Sequence, residues 1–224
     1  MSWSELSRWW VDEVAGDPAY EQVVTPMLLE ALRPTTGAIY LDLGSGDGRV
    51  MREVVKTGAA VHGLDISPEL AGRSSQWGPT IVGNLPDLGF IEGRPYDGAY
   101  SVLVIEHVPD HEAFFRSVAA VVVSGGVLAL VMNHPVWTAP SSSPITDSDG
   151  EVLWRPGDYF SSGTTEEPAG EGQVTFHHRT LSSLLNAAAD AGWALERMVE
   201  APHHEFEDQQ GIPRLLTCRW RLLP

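Results

Sequence analysis

Leu41-Asp42-Leu43-Gly44-Ser45-Gly46-Asp47-Gly48 closes a short apolar run, Ala38 to Leu43, and opens an amphipathic one, Val50 to Lys56. Alternate glycines let a backbone reverse tightly where a ligand or a packed element comes close. An apolar strand feeding such a turn and then a helix commits a chain to a βαβ unit, hence to parallel strands whose two faces need helical cover.

The alternation continues. Ala60 to Ile66 reads as a second strand, and Ser67-Pro68-Glu69 starts the next helix with a hydroxyl cap and proline in the first turn. Thr80 to Val82 is a brief third strand, Tyr96 to Ile105 a nearly continuous apolar fourth, and Gly126 to Met132 a fifth, with a helix at Asp110 to Val122. Two helices precede this set, Trp3 to Ala15 and Tyr20 to Leu32, the second ended by Pro34 and Gly37. After it come an amphipathic helix, Thr180 to Ala191, closed by Gly192, and two strands, Trp193 to Val199 and Leu215 to Leu222. The last alternates Leu216, Cys218, Trp220 and Leu222 against Thr217, Arg219 and Arg221, as a half-exposed antiparallel edge pair would. Arg214, Arg219 and Arg221 read as its solvent face. The fold class is therefore α/β: a Rossmann-like, doubly wound, seven-stranded and mostly parallel sheet with an antiparallel last strand and helices on both faces.

At 224 residues and 43% apolar content the chain suits one domain with one well-developed core. We divide it into N-terminal helices (1–34), a cofactor-binding half (38–132), an irregular insertion or lid at the substrate site (133–176) and a C-terminal helix with strands (177–224). The insertion is rich in Pro, Ser, Gly and Thr but carries Trp137, Trp154, Tyr159 and Phe160, with Phe176 in a short strand at its end. These aromatics suit either an apolar or aromatic substrate beneath a lid or the tacking of a long loop onto the sheet. Trp9 and Trp10 are candidates for the opposite wall.

Charge excludes some functions. A net charge of -16, from 14 Lys+Arg and 30 Asp+Glu, repels phosphate backbones and argues against nucleic acid as partner. The N-terminal residues do not read as a signal peptide, and Val118 to Met132 is too short and too broken to span a bilayer, so no membrane partner is expected. Cys218 is the single cysteine, which rules out an internal disulfide framework or a cysteine-based zinc cluster. The expectation is a cytoplasmic monomer or homodimer. His203-His204-Glu205 resembles a metal-ligand cluster, but adjacent histidines in an acidic loop are expected to face solvent, and no metal site is assigned.

The glycine turn has two features that narrow its ligand. Asp42 precedes the first glycine, and the lysine plus Ser/Thr of a nucleotide-triphosphate loop is missing. A carboxylate there suits a ligand with an amino group better than a pyrophosphate, which argues against a nicotinamide cofactor. Asp65 ends the second strand about 20 residues on, where this kind of fold receives two ribose hydroxyls.

Together, Leu41 to Gly48, Leu64 to Ser67, Gly83-Asn84-Leu85-Pro86 and Tyr96-Asp97 running to Glu106-His107-Val108-Pro109-Asp110 resemble the class I S-adenosylmethionine-dependent methyltransferases. The nearest branch is the small-molecule group resembling the ubiquinone/menaquinone biosynthesis methyltransferases. His134-Pro135 and His178-Arg179-Thr180-Leu181 fit the same pattern, so that the resemblance runs over residues 20 to 222. It implies S-adenosylmethionine as cofactor, with Asp42, Gly44, Ser45 and Gly46 near its methionine and Gly48 helping the turn. It also implies Asp65 on the ribose, Ile66, Asn84 and Leu85 around the adenine, Ile105 and Glu106 at the methyl-donor end, and Tyr20 as a cover. Asn84 departs from the acidic residue common there. The partner implied is a small-molecule methyl acceptor, its identity and accepting atom (O, N or C) open. A non-catalytic binding or regulatory protein on the same fold is the alternative.

Methyl transfer depends first on holding donor and acceptor in line, and a general base is needed only for an acceptor that keeps its proton. Histidine is the natural base near neutral pH. His107 follows the fourth strand, His134 the fifth, and His178 stands where the insertion rejoins the fold; these are the catalytic candidates, each with a packed, structural histidine as the alternative.

Overall fold

In the strands the two faces are apolar in turn, and that alternation builds the molecule outward from its sheet. The computed structural model describes residues 3–14, 16–202 and 211–224. The elements are α1 (Trp3–Trp9), α2 (Thr25–Leu32), β1 (Ile39–Leu43), α3 (Arg49–Val55), β2 (Ala60–Asp65), α4 (Pro68–Ser74), β3 (Thr80–Val82), β4 (Tyr96–Val102), α5 (His111–Val121) and β5 (Val122–Asn133). They continue with α6 (Pro135–Thr138), β6 (Ser143–Thr146), β7 (Val152–Arg155), β8 (Thr164–Ala169), β9 (Gly172–His177), α7 (Leu181–Asp190), β10 (Trp193–Pro202) and β11 (Pro213–Leu222). Wider π-type turns at Trp10–Val14 and Tyr20–Val24 extend α1 and lead into α2.

Seven strands form one sheet in the order β10-β11-β5-β4-β1-β2-β3. All neighbours are parallel except β11, which runs antiparallel to both β5 and β10. Leu41, Leu43, Ala99, Leu128 and Leu130 project to one face, where Phe114 and Phe115 of α5 and Leu184 of α7 cover them. Tyr40, Tyr100, Ala129 and Val131 project to the other, under Leu28 and Leu32 of α2 and Met51 and Val54 of α3. Burying both faces is what a central parallel sheet requires, and it puts the ligand site at the carboxyl ends of the strands. The expected doubly wound sheet with an antiparallel last strand is the observed one.

Side chains cap three helix starts, the first of them as expected from the sequence. Ser67 Oγ accepts from Leu70 N at 3.3 Å, Asp110 Oδ1 from Ala113 N at 2.8 Å, and Thr180 Oγ1 from Ser183 N at 3.2 Å.

Three local expectations are corrected. The fourth strand stops at Val102, because Leu103 takes a left-handed φ of 54° and the chain turns through a short 3-10 helix, Ile105–His107. The last strand is not half-exposed, since β11 lies between β5 and β10 and Thr217 and Arg219 are buried. Arg219 consequently faces α2: its guanidinium donates to the carbonyls of Ala31 and Leu32, and Nε pairs with Glu196 at 2.7 Å. Arg214 also turns inward, bonding Asn133 and stacking on Trp137 at 4.6 Å, whereas Arg221 is partly exposed. The stretch expected to be irregular holds two antiparallel hairpins, β6–β7 and β8–β9. Two aromatic contacts fasten this stretch, with Trp154 stacked on Trp137 at 4.1 Å and the Tyr159 hydroxyl accepting from Leu181 N at 3.1 Å, while Phe160 is exposed. Leu6 of α1 packs with Ala169 and Val174, joining the second hairpin to the N-terminal helix.

Arg219 caps the last carbonyls of α2 while bound to Glu196, so Arg219→Leu should lower the unfolding free energy by about 2–4 kcal/mol. Urea denaturation with an unchanged m-value checks it; a change under about 0.5 kcal/mol would show that these contacts contribute nothing net.

Candidate functional site

At the carboxyl ends of β1, β2 and β4 lies a cavity of about 920 Å³, its open mouth included. Its wall contains Tyr20, Asp42, Gly44, Ser45, Gly46, Asp65, Ile66, Asn84 and Leu85, all expected from the sequence, together with His107.

The glycine turn is spent on the protein itself. Gly44 N and Ser45 N both donate to the Leu64 carbonyl, at 2.8 and 2.9 Å, and Gly46 N donates to Asp65 Oδ2 at 2.8 Å. A phosphate needs such amides aimed outward; here they are turned inward. Glycine is required at the first position, where φ is 86° and a Cβ would lie 2.5 Å from Val104 Cγ2.

Asp42 is 2% exposed, and its Oδ2 has no hydrogen bond of ordinary geometry. Burial pushes its carboxyl up to about 8; the neighbouring Tyr100 hydroxyl opposes this and the Asp65 charge adds to it. Such a group calls for a cationic partner. Asp65 is differently placed. Oδ1 accepts from Ser67 N and Oδ2 from Gly46 N, both at 2.8 Å, which fixes the carboxylate while each oxygen keeps a second lone pair. Its pKa is raised by burial, against the pull of these two amides.

The cover over the turn was only partly foreseen. Arg49 is gripped by Asp47 at 3.1 Å, and its Cζ lies 4.6 Å from the Trp10 ring centre and 4.5 Å from that of Tyr20. These cation–π contacts lay the N-terminal segment across the cavity. Tyr20 is pushed up to about 12, chiefly by burial. Arg49 was missed; its signal was a cation directly behind the last glycine, within reach of the N-terminal aromatics. Leu103, Val104 and Val108 were also missed as wall residues, because the end of β4 was placed too late.

The three histidines part company. His107 lines the cavity; its Nδ1 donates to the Thr175 carbonyl at 3.0 Å and its ring meets Phe176 edge-on at 4.6 Å. His134 is buried off the cavity: Nδ1 accepts from Val136 N at 3.2 Å as the cap of α6, and Nε2 pairs with Glu200 at 2.9 Å. Its pKa is lowered by burial, with Glu200 opposing. His178 is 1% exposed and uses both nitrogens, Nε2 donating to Tyr159 O at 2.8 Å and Nδ1 accepting from Thr138 Oγ1 at 3.1 Å.

Ile105 and Glu106, expected beside the ligand, are also off this wall. Ile105 packs into the core below the sheet end, and Glu106 Oε1 accepts from Asn133 N at 3.2 Å. None of the aromatic residues of the hairpins named above lines the cavity. His203, His204 and Glu205 lie outside the described residues; among the described ones no three His, Cys, Asp or Glu side chains stand together as a metal site would need. No described helix is long and apolar enough to cross a membrane.

Known proteins share this architecture. A methyltransferase domain family matches residues 41–130. The ubiquinone biosynthesis O-methyltransferase of Xanthomonas axonopodis pv. citri is 30% identical over 134 residues, and the match spans 55% of this chain and 55% of that protein. An S-adenosylmethionine-dependent methyltransferase from Mesorhizobium loti superposes with a TM-score of 0.77 at 27% identity, over 93% of this chain and 99% of its own. A structure of a putative methyltransferase from Listeria monocytogenes shares the fold, with a TM-score of 0.78 at 22% identity over 95% of this chain and all of the other. With its inward-turned glycine amides and its two buried acids, the chain shares the fold of these relatives and resembles the class I S-adenosylmethionine-dependent methyltransferases, small-molecule members among them.

Proposed function

We propose that the chain transfers a methyl group from S-adenosylmethionine to a small, apolar or aromatic acceptor. The observation that carries this is the cavity floor, where a buried carboxylate oxygen of Asp42 has no hydrogen bond of ordinary geometry and the turn amides are unavailable to phosphate. A cationic ligand with a diol and a flat ring fits those groups; a dinucleotide does not. The curated relatives' name, ubiquinone biosynthesis O-methyltransferase, supports oxygen as an accepting atom.

In this reading Asp42 and the Gly44-Ser45-Gly46 turn hold the methionine end, Asp65 takes the ribose hydroxyls, and Ile66, Asn84 and Leu85 surround the adenine. The bound cofactor supplies an electrophilic methyl group on a sulfonium. Trp10, Tyr20, Leu103 and Val104 exclude water from that end, where positioning supplies much of the rate. With Nδ1 donating to Thr175 O, the His107 imidazole carries its basic lone pair on Nε2, the atom we assign to taking up an acceptor's proton. His134 and His178 hold α6 and the hairpins in place around the acceptor side, and the hairpins act as its lid.

Titration calorimetry with S-adenosylmethionine and with its demethylated product tests the cofactor; cooperative melting without heat of binding to either would refute it. Asp65→Ala should weaken both ligands by about 10- to 100-fold, the worth of hydrogen bonds to a charged group. Unchanged affinity would remove Asp65 from the ribose. For Asp42, a cation favours the ionised form, so affinity should rise with pH up to about 8 and then level off. The folded pKa lies above the ordinary 3.8, so the stability Asp42 lends the unliganded chain is fully present in acid and is lost as pH rises through about 8. Asp42→Asn should flatten both profiles, and a slope that survives it would assign the proton elsewhere. With any acceptor turned over, His107→Gln should lower kcat by about 100-fold or more while leaving cofactor affinity within about twofold.

A further inference from the structure

The cofactor proposed above is a zwitterion at its methionine end, and the cavity floor answers only the positive half of it. Asp42 and Asp65 are buried there and suit an ammonium group. A carboxylate needs donors, and the glycine turn has none left to offer it. Gly44 N and Ser45 N are spent on the Leu64 carbonyl, Gly46 N on Asp65, and Gly48 N on the Ser45 carbonyl at 3.0 Å. Among the described residues that line the cavity, Arg49 is the only arginine or lysine.

The fold holds Arg49 as a fixed donor, its side chain 13% exposed. Nε donates to Asp47 Oδ1 at 3.1 Å and Nη2 to Asp47 Oδ2 at 3.2 Å, while Nη1 reaches the Val14 carbonyl at 3.4 Å. Asp47 is fixed in turn, because Oδ1 also accepts from Arg49 N at 3.1 Å. The rings of Trp10 and Tyr20, 4.6 and 4.5 Å from Cζ, leave the guanidinium little room to turn. Trp10 also stands over the glycine turn, 3.2 Å from where a Cβ on Gly46 would lie, so the guanidinium it carries is at that end of the cavity. These side-chain bonds use three of the five N–H groups of an arginine and leave one on each terminal nitrogen. Such a pair can meet both oxygens of a second carboxylate. Its rotamer freedom is already lost in folding, so a ligand need not order it.

We propose that Arg49 binds the α-carboxylate of the cofactor and makes the site select ligands with an intact amino-acid end. The ammonium group then lies toward the Asp42 floor and the carboxylate toward the rim, and the two charges fix the direction of the methionine chain. Adenosyl ligands that lack the carboxylate forfeit this pair and bind weakly. The assignment rests on the S-adenosylmethionine reading above.

The demethylated cofactor product and its decarboxylated analogue share the adenosine, the thioether and the amine and differ in the carboxylate alone. Titration calorimetry of the full chain should show a preference of about 10- to 100-fold for the product, the worth of a charge-assisted pair. Arg49→Met keeps an unbranched stem between the two rings and removes the fork, so that preference should fall to about twofold or less. A merely structural Arg49 would weaken both ligands alike and leave their ratio unchanged, and that result overturns the assignment. Equal binding of the two ligands by the wild-type chain overturns it as well. Arg49→Lys keeps the charge without the fork and should lower the preference by about threefold or more. It decides the matter where the methionine variant fails to fold, an undiminished preference again sinking the assignment. A wild-type chain that binds neither ligand refutes the cofactor reading instead, so the two failures are told apart before any variant is made.

Discussion

The carboxylate of Asp65 joins the two halves of the first βαβ unit. By accepting from Gly46 N and Ser67 N it ties the glycine turn after β1 to the first residues beyond β2. Those amides are the ones that precede α3 and α4, so one side chain sets where both helices begin. The Leu64 carbonyl, receiving Gly44 N and Ser45 N, completes the same tie from the strand side. The wall of the cavity follows from these bonds: the turn is held flat against β2, and space opens above it.

That arrangement makes the cavity's chemistry acidic without making it solvated. Asp42 and Asp65 both lie below a tenth exposed, at the ends of adjacent strands in parallel register. Burial raises the proton affinity of both, and the Asp65 charge adds to it at Asp42. The Arg49 guanidinium, gripped by Asp47 and covered by Trp10 and Tyr20, supplies positive charge at the rim and not at the floor. The floor is therefore complementary to a cation and unsuited to a pyrophosphate.

Much of this was legible in the sequence because it is local. A turn between a strand and a helix, an acid ahead of the first glycine and an acid at the end of the next strand are short-range patterns that mark Asp42, Gly44, Ser45, Gly46 and Asp65, while Tyr20, Ile66, Asn84 and Leu85 came only with the family resemblance. What escaped notice depends on distant segments. The left-handed Leu103, bonded to Val131 O at 2.8 Å, ends β4 for a reason that lies on β5. Arg219 looked solvent-facing because alternation along one strand cannot reveal that α2 covers its second face. His134 stood after the fifth strand and His178 where the insertion rejoins the fold, and the hydrogen bonds of their ring nitrogens to Glu200, Val136, Tyr159 and Thr138 were beyond what position in the sequence can show. The hairpins of the insertion have polar, Pro- and Gly-interrupted strands, for which periodicity gives little signal.

The place of β11 also bears on how the chain is made. It sits between β5 and β10, although it is the last of the three to be synthesised. Until residues 213–222 leave the ribosome, β5 offers an open, apolar edge to its surroundings, and β10 has no partner. The nascent chain can assemble β1 to β5 early, yet it must hold the carboxyl-terminal side of the sheet unsealed for the time needed to make some eighty further residues, on the order of ten seconds. During that interval this edge is the natural place for a chaperone to bind or for two nascent chains to pair wrongly.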